Sequence, residues 1–345
     1  MILSPDDAQC LREAAADGDA RGELAAATRD LIARRDWMRL LVPRAAGGAE
    51  LDLPAVVRLE EALAEADGSC AWVVTLCAGA GWFLGFLPPS LAAQVAATPG
   101  CCLGGSGAAA GFADREGAGW RVSGQWPVAT GATLATHFTF NAVLREGGRP
   151  LLDAQGAPRV SAFVVPARDV RVQRGWRAIG LRASGSHGFA IESAWVPQAH
   201  AFTVAAGPVV PGPLYRFPFA SLAYATLAAN VGGLARGFLQ RAAPLLAHRA
   251  AQGRSDAREA RAALEAARGR CLAVLEAQWD RVAAGSGPCD EAALREASLA
   301  WAAAARAAVD AAYPLCGLRA ADAASDLNRA WRDFHTGAQH AMLAP

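Results

Sequence analysis

The sequence contains no lysine: all 33 of its basic residues are arginine. That absence removes chemistry built on a primary amine, such as a Schiff base or the lysine of a phosphate-binding P-loop. A surplus of charge of either sign is also missing, because 32 acidic residues leave a formal net charge of +1. Such a balance gives no electrostatic footprint for nucleic acid or for an anionic membrane, and neither partner is expected. The eight cysteines form no C-x-x-C pair and no Cys/His ligand cluster, and the chain is too long for a disulfide-stapled scaffold. No metal site is expected, and the thiols read as the reduced thiols of a cytoplasmic protein. The N-terminus lacks a basic stretch followed by an apolar one, so no secretory signal is expected. Charge is absent altogether from residues 68–113, and residues 70–87 are long and apolar enough to span a bilayer. Asp67 just before that run, the glycines Gly79, Gly81 and Gly85 within it, and the lack of a flanking arginine cluster point instead to a helix buried in a large core.

What is present is a chain of 345 residues, 53% hydrophobic, which suffices for a large core in two or three units. Residues 1–99 read as a helical domain, with apolar residues such as Val56, Leu59, Leu63 and Ala66 returning at helical spacing. Residues 41–48 form a turn in it, and Pro88-Pro89 ends the apolar helix with Ser90 placed to cap the next. Residues 100–205 read as a central antiparallel β domain, with strands expected at 120–122, 137–144, 161–165, 170–172 and 189–196. Residues 199–213 are linker-like, and residues 206–345 return to long alanine-rich helices, broken at Gly253 and at 284–288. The order helix, sheet, helix predicts an α+β fold, which leaves the chemistry open.

Three passages carry a resemblance. Leu41-Val42-Pro43-Arg44-Ala45-Ala46-Gly47-Gly48 is followed by a helix over 57–70. Gly119-Trp120-Arg121-Val122-Ser123-Gly124-Gln125-Trp126-Pro127-Val128-Ala129-Thr130-Gly131 precedes Gly175-Trp176-Arg177-Ala178-Ile179-Gly180-Leu181-Arg182-Ala183-Ser184-Gly185-Ser186 and Ala194-Trp195-Val196-Pro197. Leu327-Asn328-Arg329-Ala330-Trp331-Arg332-Asp333-Phe334-His335 leads to His340 near the end. In this order, and across nearly the whole chain, they resemble the acyl-CoA dehydrogenase superfamily. The resemblance implies an N-terminal helical domain, a central β domain and a C-terminal four-helix bundle around a flavin, FAD or FMN. It implies that Ser106, Trp126, Thr130, Gly131, Ser184 and Ser186 line the cofactor and that Arg249 pairs with its phosphate. Physically, a redox flavin needs a dry site, a hydrogen-bond partner at its ring and a polar clamp for phosphate. Each of these hydroxyls can equally be a turn or capping residue.

Within that superfamily two activities compete. The common dehydrogenase removes a substrate proton with a glutamate downstream of the Arg-Asp pair; here that slot falls at Ala341, and no acidic residue follows Asp333. A relocated base, with Glu259, Glu265 or Glu276 as substitutes, keeps the dehydrogenase reading open. The run from Gln125-Trp126 to Thr130-Gly131 and the ending with His335 and His340 look more like the reduced-flavin monooxygenases. Those enzymes take reduced flavin from a partner reductase and oxygenate a small aromatic or heteroatom substrate through a flavin C4a-hydroperoxide. The resemblance then gives Thr130 a place near the flavin ring and His340 the task of acting on substrate or oxygen adduct. A histidine suits the latter because its pKa lies near neutrality; a surface role for His335 and His340 is the alternative. The histidine that this branch often has in its first apolar helix is replaced by Ala80, and the chain ends at Pro345, soon after His340. A relative that binds no flavin is therefore a third reading. A homotetramer or homodimer through the C-terminal helices is also implied, the alanine-rich faces of 291–310 suiting close packing.

Overall fold

The computed structural model describes residues 2–253, 255 and 257–344; Met1, Arg254, Asp256 and Pro345 lie outside the described residues. The N-terminal region carries α1 (Pro5–Arg21), α2 (Ala26–Arg35), α3 (Leu53–Ala66), α4 (Gly68–Gly81) and α5 (Pro89–Ala96). Helix α4 has no charged face because it has almost no wet face. Asp67 caps it by accepting from Ser69 N at 3.0 Å, and Cys70, Val73, Val74, Cys77 and Ala78 are fully buried. The segment Gly68–Phe86 is long and apolar enough to cross a membrane, yet 83% of its apolar window is buried inside the fold. Gly85 is required by packing: a Cβ there would stand 2.3 Å from the Tyr215 ring. Ser90 does not cap the next helix, because Pro88 is the cap position and α5 already begins at Pro89, whose missing N–H suits the first helical turn.

The central region holds β1 (Leu103–Glu116), β2 (Gly119–Ala129), β3 (His137–Glu146), β4 (Arg149–Pro150), β5 (Val160–Pro166), β6 (Arg171–Gln173), β7 (His187–Pro197) and β8 (Ala201–Phe202). These form one sheet in the order β6-β7-β2-β1-β3-β5-β8, with β4 paired to β3. The sheet is mixed and not antiparallel as expected, because β1 and β3 run parallel. Strand β2 returns along one edge of β1; the connection at 130–136 then passes the end of β1, and β3 leaves along its other edge in the direction of β1. Trp126, Phe138, Phe140, Phe163 and Phe189 fill the core on one face of the sheet.

Four long helices follow the short α6 (Pro213–Arg216): α7 (Phe219–Ala251), α8 (Arg258–Ala283), α9 (Glu291–Ala312) and, after α10 (Leu318–Ala321), α11 (Asp326–Gly337). Small residues let α7 approach its neighbours: a Cβ at Gly232 would meet the Trp301 ring at 2.4 Å, and one at Gly233 the Glu61 carbonyl at 2.2 Å. Through these contacts α7 joins α9 to α3.

Candidate active site

The site grows from a break in strand regularity. Along β2, Trp126 pairs with Phe189 and Ala129 with His187, so β2 carries one residue more than β7 over this stretch. A bulge of this kind reverses the alternation of side chains. Trp126 accordingly turns into the sheet core, stacked on Phe189 at 4.9 Å, its Nε1 donating to Ala108 O at 3.0 Å and Asn141 O at 3.2 Å. It is fully buried with its only polar atom satisfied, and it therefore supports the site without lining it. Thr130 turns toward the helices instead.

At Gly131 the backbone takes φ +68°, and its N–H donates to Ser184 O at 3.0 Å. This brings the 130–132 turn against the 181–187 turn. Thr130 Oγ1 lies 3.0 Å from Ser186 Oγ, which lies 2.8 Å from Ser184 Oγ. All three hydroxyls are buried. Cys77 of α4 donates its thiol to Thr130 O at 3.5 Å, and a Cβ at Gly131 would meet Cys77 Sγ at 2.8 Å, so α4 closes directly over this turn. Ser106 is half-buried on β1, in the run Gly104–Gly105–Ser106–Gly107–Ala108–Ala109–Ala110, whose last four residues are exposed. A Cβ at Gly104 would lie 3.6 Å from Thr130 O, which places this bare strand end beside the hydroxyls.

The 181–187 turn is held from below by the Arg-Asp segment of α11. Asp333 Oδ1 accepts from Leu181 N at 2.6 Å, and Thr336 Oγ1 accepts from Gly180 N at 3.0 Å. Gly180 leaves no room for a side chain, since its Cβ would stand 2.1 Å from the Arg332 backbone. Arg332 donates to Asp19 of α1 at 2.7 Å and to Ile179 O at 2.6 Å. Burial pushes the Asp333 carboxyl up to about 7, against the Leu181 hydrogen bond that favours its ionised form. Sequence reading marked the Arg-Asp pair only through resemblance; its work in joining three segments separated widely in the chain has no local signal.

His340 lies just past α11, half-buried, with its ring edge-on to Trp72 of α4 at 5.9 Å and its Nδ1 accepting from Met342 N at 3.3 Å. Thr130 and His340 thus approach the same helix, at Cys77 and at Trp72. Burial lowers the His340 pKa below 6.5, so the ring is neutral near pH 7, and with Nδ1 accepting, its proton sits on Nε2. His335 is occupied elsewhere, 3.4 Å from Asp310 and with its ring tilted against Trp331 at 4.6 Å. Arg249, near the end of α7, donates Nε to Ser255 O at 3.3 Å, and among the described residues no hydrogen bond or ion pair joins it to the three hydroxyls. The substitute bases also lie apart: Glu265 pairs with Arg236, Glu276 pairs with Arg58, and Glu259 is exposed, all on α8.

These residues fit a flavin. Three buried hydroxyls, each able to donate and to accept, sit at the edge of a strand stripped of bulky side chains, which suits a planar heterocycle with polar edges.

Comparison with known proteins agrees with that fit. Residues 225–345 match the family described as acyl-CoA dehydrogenase, C-terminal domain. Indole-3-acetate monooxygenase of Pseudomonas putida is 29% identical over 322 residues, 88% of this chain and 80% of the relative. The oxygenase subunit HsaA of a flavin-dependent monooxygenase from Rhodococcus jostii is 24% identical over 339 residues, 90% of this chain and 85% of the relative. The solved structure of XiaF from Streptomyces, in complex with FADH2 and glycerol, superposes with a TM-score of 0.78 at 24% identity, covering 98% of this chain and 89% of that one. Residues 225–345 carry the acyl-CoA dehydrogenase C-terminal domain, and over nearly its whole length the chain has the fold of these monooxygenase structures and is similar in sequence to proteins named as flavin-dependent monooxygenases.

Proposed function

We propose that this protein is the oxygenase component of a two-component monooxygenase, hydroxylating a small aromatic substrate with reduced flavin delivered by a separate reductase. The observation that carries the reading is the buried chain of hydroxyls from Thr130 through Ser186 to Ser184, with the acidic residue packed on it, Asp333, committed to the Leu181 amide. A dehydrogenase needs a free carboxylate over the flavin. Here the carboxylates that serve as substitutes are exposed or paired on α8. Relatives named as monooxygenases, one of them an oxygenase subunit, support the same choice.

In this reading Thr130, Ser184 and Ser186 hold the polar edge of the flavin ring, with Gly131 allowing α4 to close over it, and Ser106 faces it from β1. Reduced flavin, when bound, supplies the electrons and the reaction with oxygen that place one oxygen atom on the substrate and release the other as water. Helix α4, with its buried Val73 and Cys77, keeps water from the ring, which limits wasteful release of peroxide. His340, neutral and with Nδ1 already accepting from Met342 N, presents Nε2–H as a donor. Its role is to orient an oxygen of the substrate, and in this tautomer it cannot serve as a base at Nε2. Arg249 reaches a flavin phosphate only if it comes from a neighbouring subunit. A cytoplasmic homotetramer or homodimer, joined through the alanine-rich C-terminal helices, is the assembly that this reading includes.

The test is an anaerobic titration with reduced FMN and reduced FAD, followed by tryptophan fluorescence, and then mixing with oxygen and a panel of phenols and indoles. Saturable binding and a hydroxylated product are expected. Hydrogen peroxide alone with every substrate would overturn the proposal, and bleaching of bound oxidised flavin by an acyl-CoA would replace it by the dehydrogenase reading.

A further inference from the structure

On the other side of the 181–187 turn lies a cavity of about 460 Å³ between the end of α1 and the segment 174–182. Four guanidinium groups line it, from Arg21, Arg174, Arg177 and Arg182, against a single carboxylate, Glu23. Arg174 pairs with Glu23 at 2.8 Å, and Arg21 pairs with Asp17 of its own helix at 3.5 Å. Arg177 and Arg182 have no ion pair or side-chain hydrogen bond among the described residues. In a chain whose charges otherwise balance, two unpaired guanidiniums beside two paired ones form a local excess of positive charge.

The back of this cavity is fixed. His187 is buried and its Nδ1 accepts from Gly175 N at 3.3 Å and Trp176 N at 3.1 Å, which puts the ring proton on Nε2. Trp176 is anchored by Nε1 donating to Leu181 O at 2.9 Å. The four arginines are exposed, but they stand around a concavity whose back wall is fixed before any ligand arrives. Guanidinium forks match phosphate oxygens two at a time.

We propose that this cavity binds a phosphorylated small molecule, with a diphosphate group spanning Arg177 and Arg182. Arg174 adds charge at its rim, and the Trp176 ring bounds the remaining volume, which is large enough for a nucleoside. The chemistry is that of a pyrophosphate, whether it comes from a free nucleotide or from the phosphate arm of a flavin.

Titration calorimetry of the intact protein with pyrophosphate and with ADP, at low ionic strength, tests the site without any turnover. One ligand per chain is expected. Affinity should fall on the order of tenfold for each of Arg177→Gln and Arg182→Gln, and fall further as salt is added. Arg171→Gln, at a residue paired with Glu192 outside the cavity, should bind as the parent does. If FAD binding weakens in the Arg177→Gln/Arg182→Gln protein while riboflavin binding holds, the flavin is the source of the phosphate. If ADP binds through these arginines without displacing flavin, the ligand is a separate nucleotide. No heat with either probe, equal binding by the double variant, or sulfate competing as strongly as pyrophosphate would overturn the proposal.

Discussion

Replacing Asp333 should loosen the flavin-facing turn from below. Its Oδ1 accepts the buried Leu181 amide at 2.6 Å, and Leu181 holds a left-handed conformation at φ +49°. Asp333→Ala leaves that amide without a partner, at a cost of about 1–3 kcal/mol. It also frees a backbone whose left-handed geometry costs roughly 1–2 kcal/mol for a branched residue. The turn can recover part of this only by relaxing, and relaxation displaces Ser184 and Ser186. On the order of 2 kcal/mol of stability should be lost, lowering the melting temperature by about 3 °C, and affinity for reduced flavin should drop with it. Asp333→Asn keeps an acceptor for the amide and removes the titration. The wild-type carboxyl is raised on folding from 3.8 to about 7, so its contribution is complete below pH 4 and is lost as pH rises through 7. Wild type should therefore weaken relative to Asp333→Asn between pH 5 and pH 8. Melting curves at those two pH values and a reduced-flavin titration measure both effects. An Asp333→Ala protein that melts and binds flavin like the parent, or an Asp333→Asn protein with the parent's pH dependence, would refute the assignment.

Gly131→Ala should destabilise by about 1–2 kcal/mol, because φ +68° strains an L side chain. Its Cβ would also stand 2.8 Å from Cys77 Sγ, so adding Cys77→Ala should restore part of the loss in a thermal melt. His340→Ala should raise KM for a phenolic substrate by on the order of tenfold, the worth of one hydrogen bond, with reduced-flavin affinity intact. Protonation would put a second N–H at Nδ1 against the Met342 amide and displace the ring; because burial lowers the His340 pKa, the wild-type KM should rise only on the acid side, and steady-state profiles of the variant should lack this limb. Glu60 is fully buried with neither carboxyl oxygen hydrogen-bonded, and burial pushes it up to about 8. Its contribution to stability is lost as pH rises through 8, so Glu60→Met should match wild type at pH 5 and melt several degrees higher at pH 9.

The candidate residues that the structure brings together are those placed by local backbone chemistry. Ser184 and Ser186 sit in a turn whose glycines and left-handed residues are written in consecutive positions, and Thr130 precedes the Gly131 that needs positive φ. Trp126 was misplaced for a definite reason. With strict alternation it would share a face with Thr130, and the extra residue between Trp126 and Ala129 reverses that parity, a feature fixed by the partner strand β7. Strand β1 was missed because Gly104–Gly105–Ser106–Gly107–Ala108–Ala109–Ala110 has little β propensity; its place between β2 and β3 makes it a strand. Arg249 could not be located at all, since its position along α7 says nothing of what faces it.

The segment from Arg174 to His187 is one mechanical piece with two faces. Ser184 and Ser186 look toward Thr130, while Arg174, Arg177, Arg182 and His187 look into the basic cavity. Between them the backbone is pinned at Gly180 by Thr336, at Leu181 by Asp333 and at Ile179 by Arg332, which in turn holds Asp19 of α1. The end of helix α1 and the residues just after it supply the opposite wall of the cavity, through Arg21 and Glu23. A ligand that draws Arg177 and Arg182 toward α1 therefore pulls on the strand of backbone that carries the hydroxyls, with Arg332 bridging both. Any coupling between the cavity and flavin affinity must pass through that clamp, and it should be reciprocal. Arg332→Ala cuts the link to α1 while leaving the cavity's own arginines and the three hydroxyls in place. In that variant, saturating pyrophosphate should no longer change the affinity for reduced flavin, whereas in the parent it should; equal shifts in both proteins would show that the two faces communicate by another route.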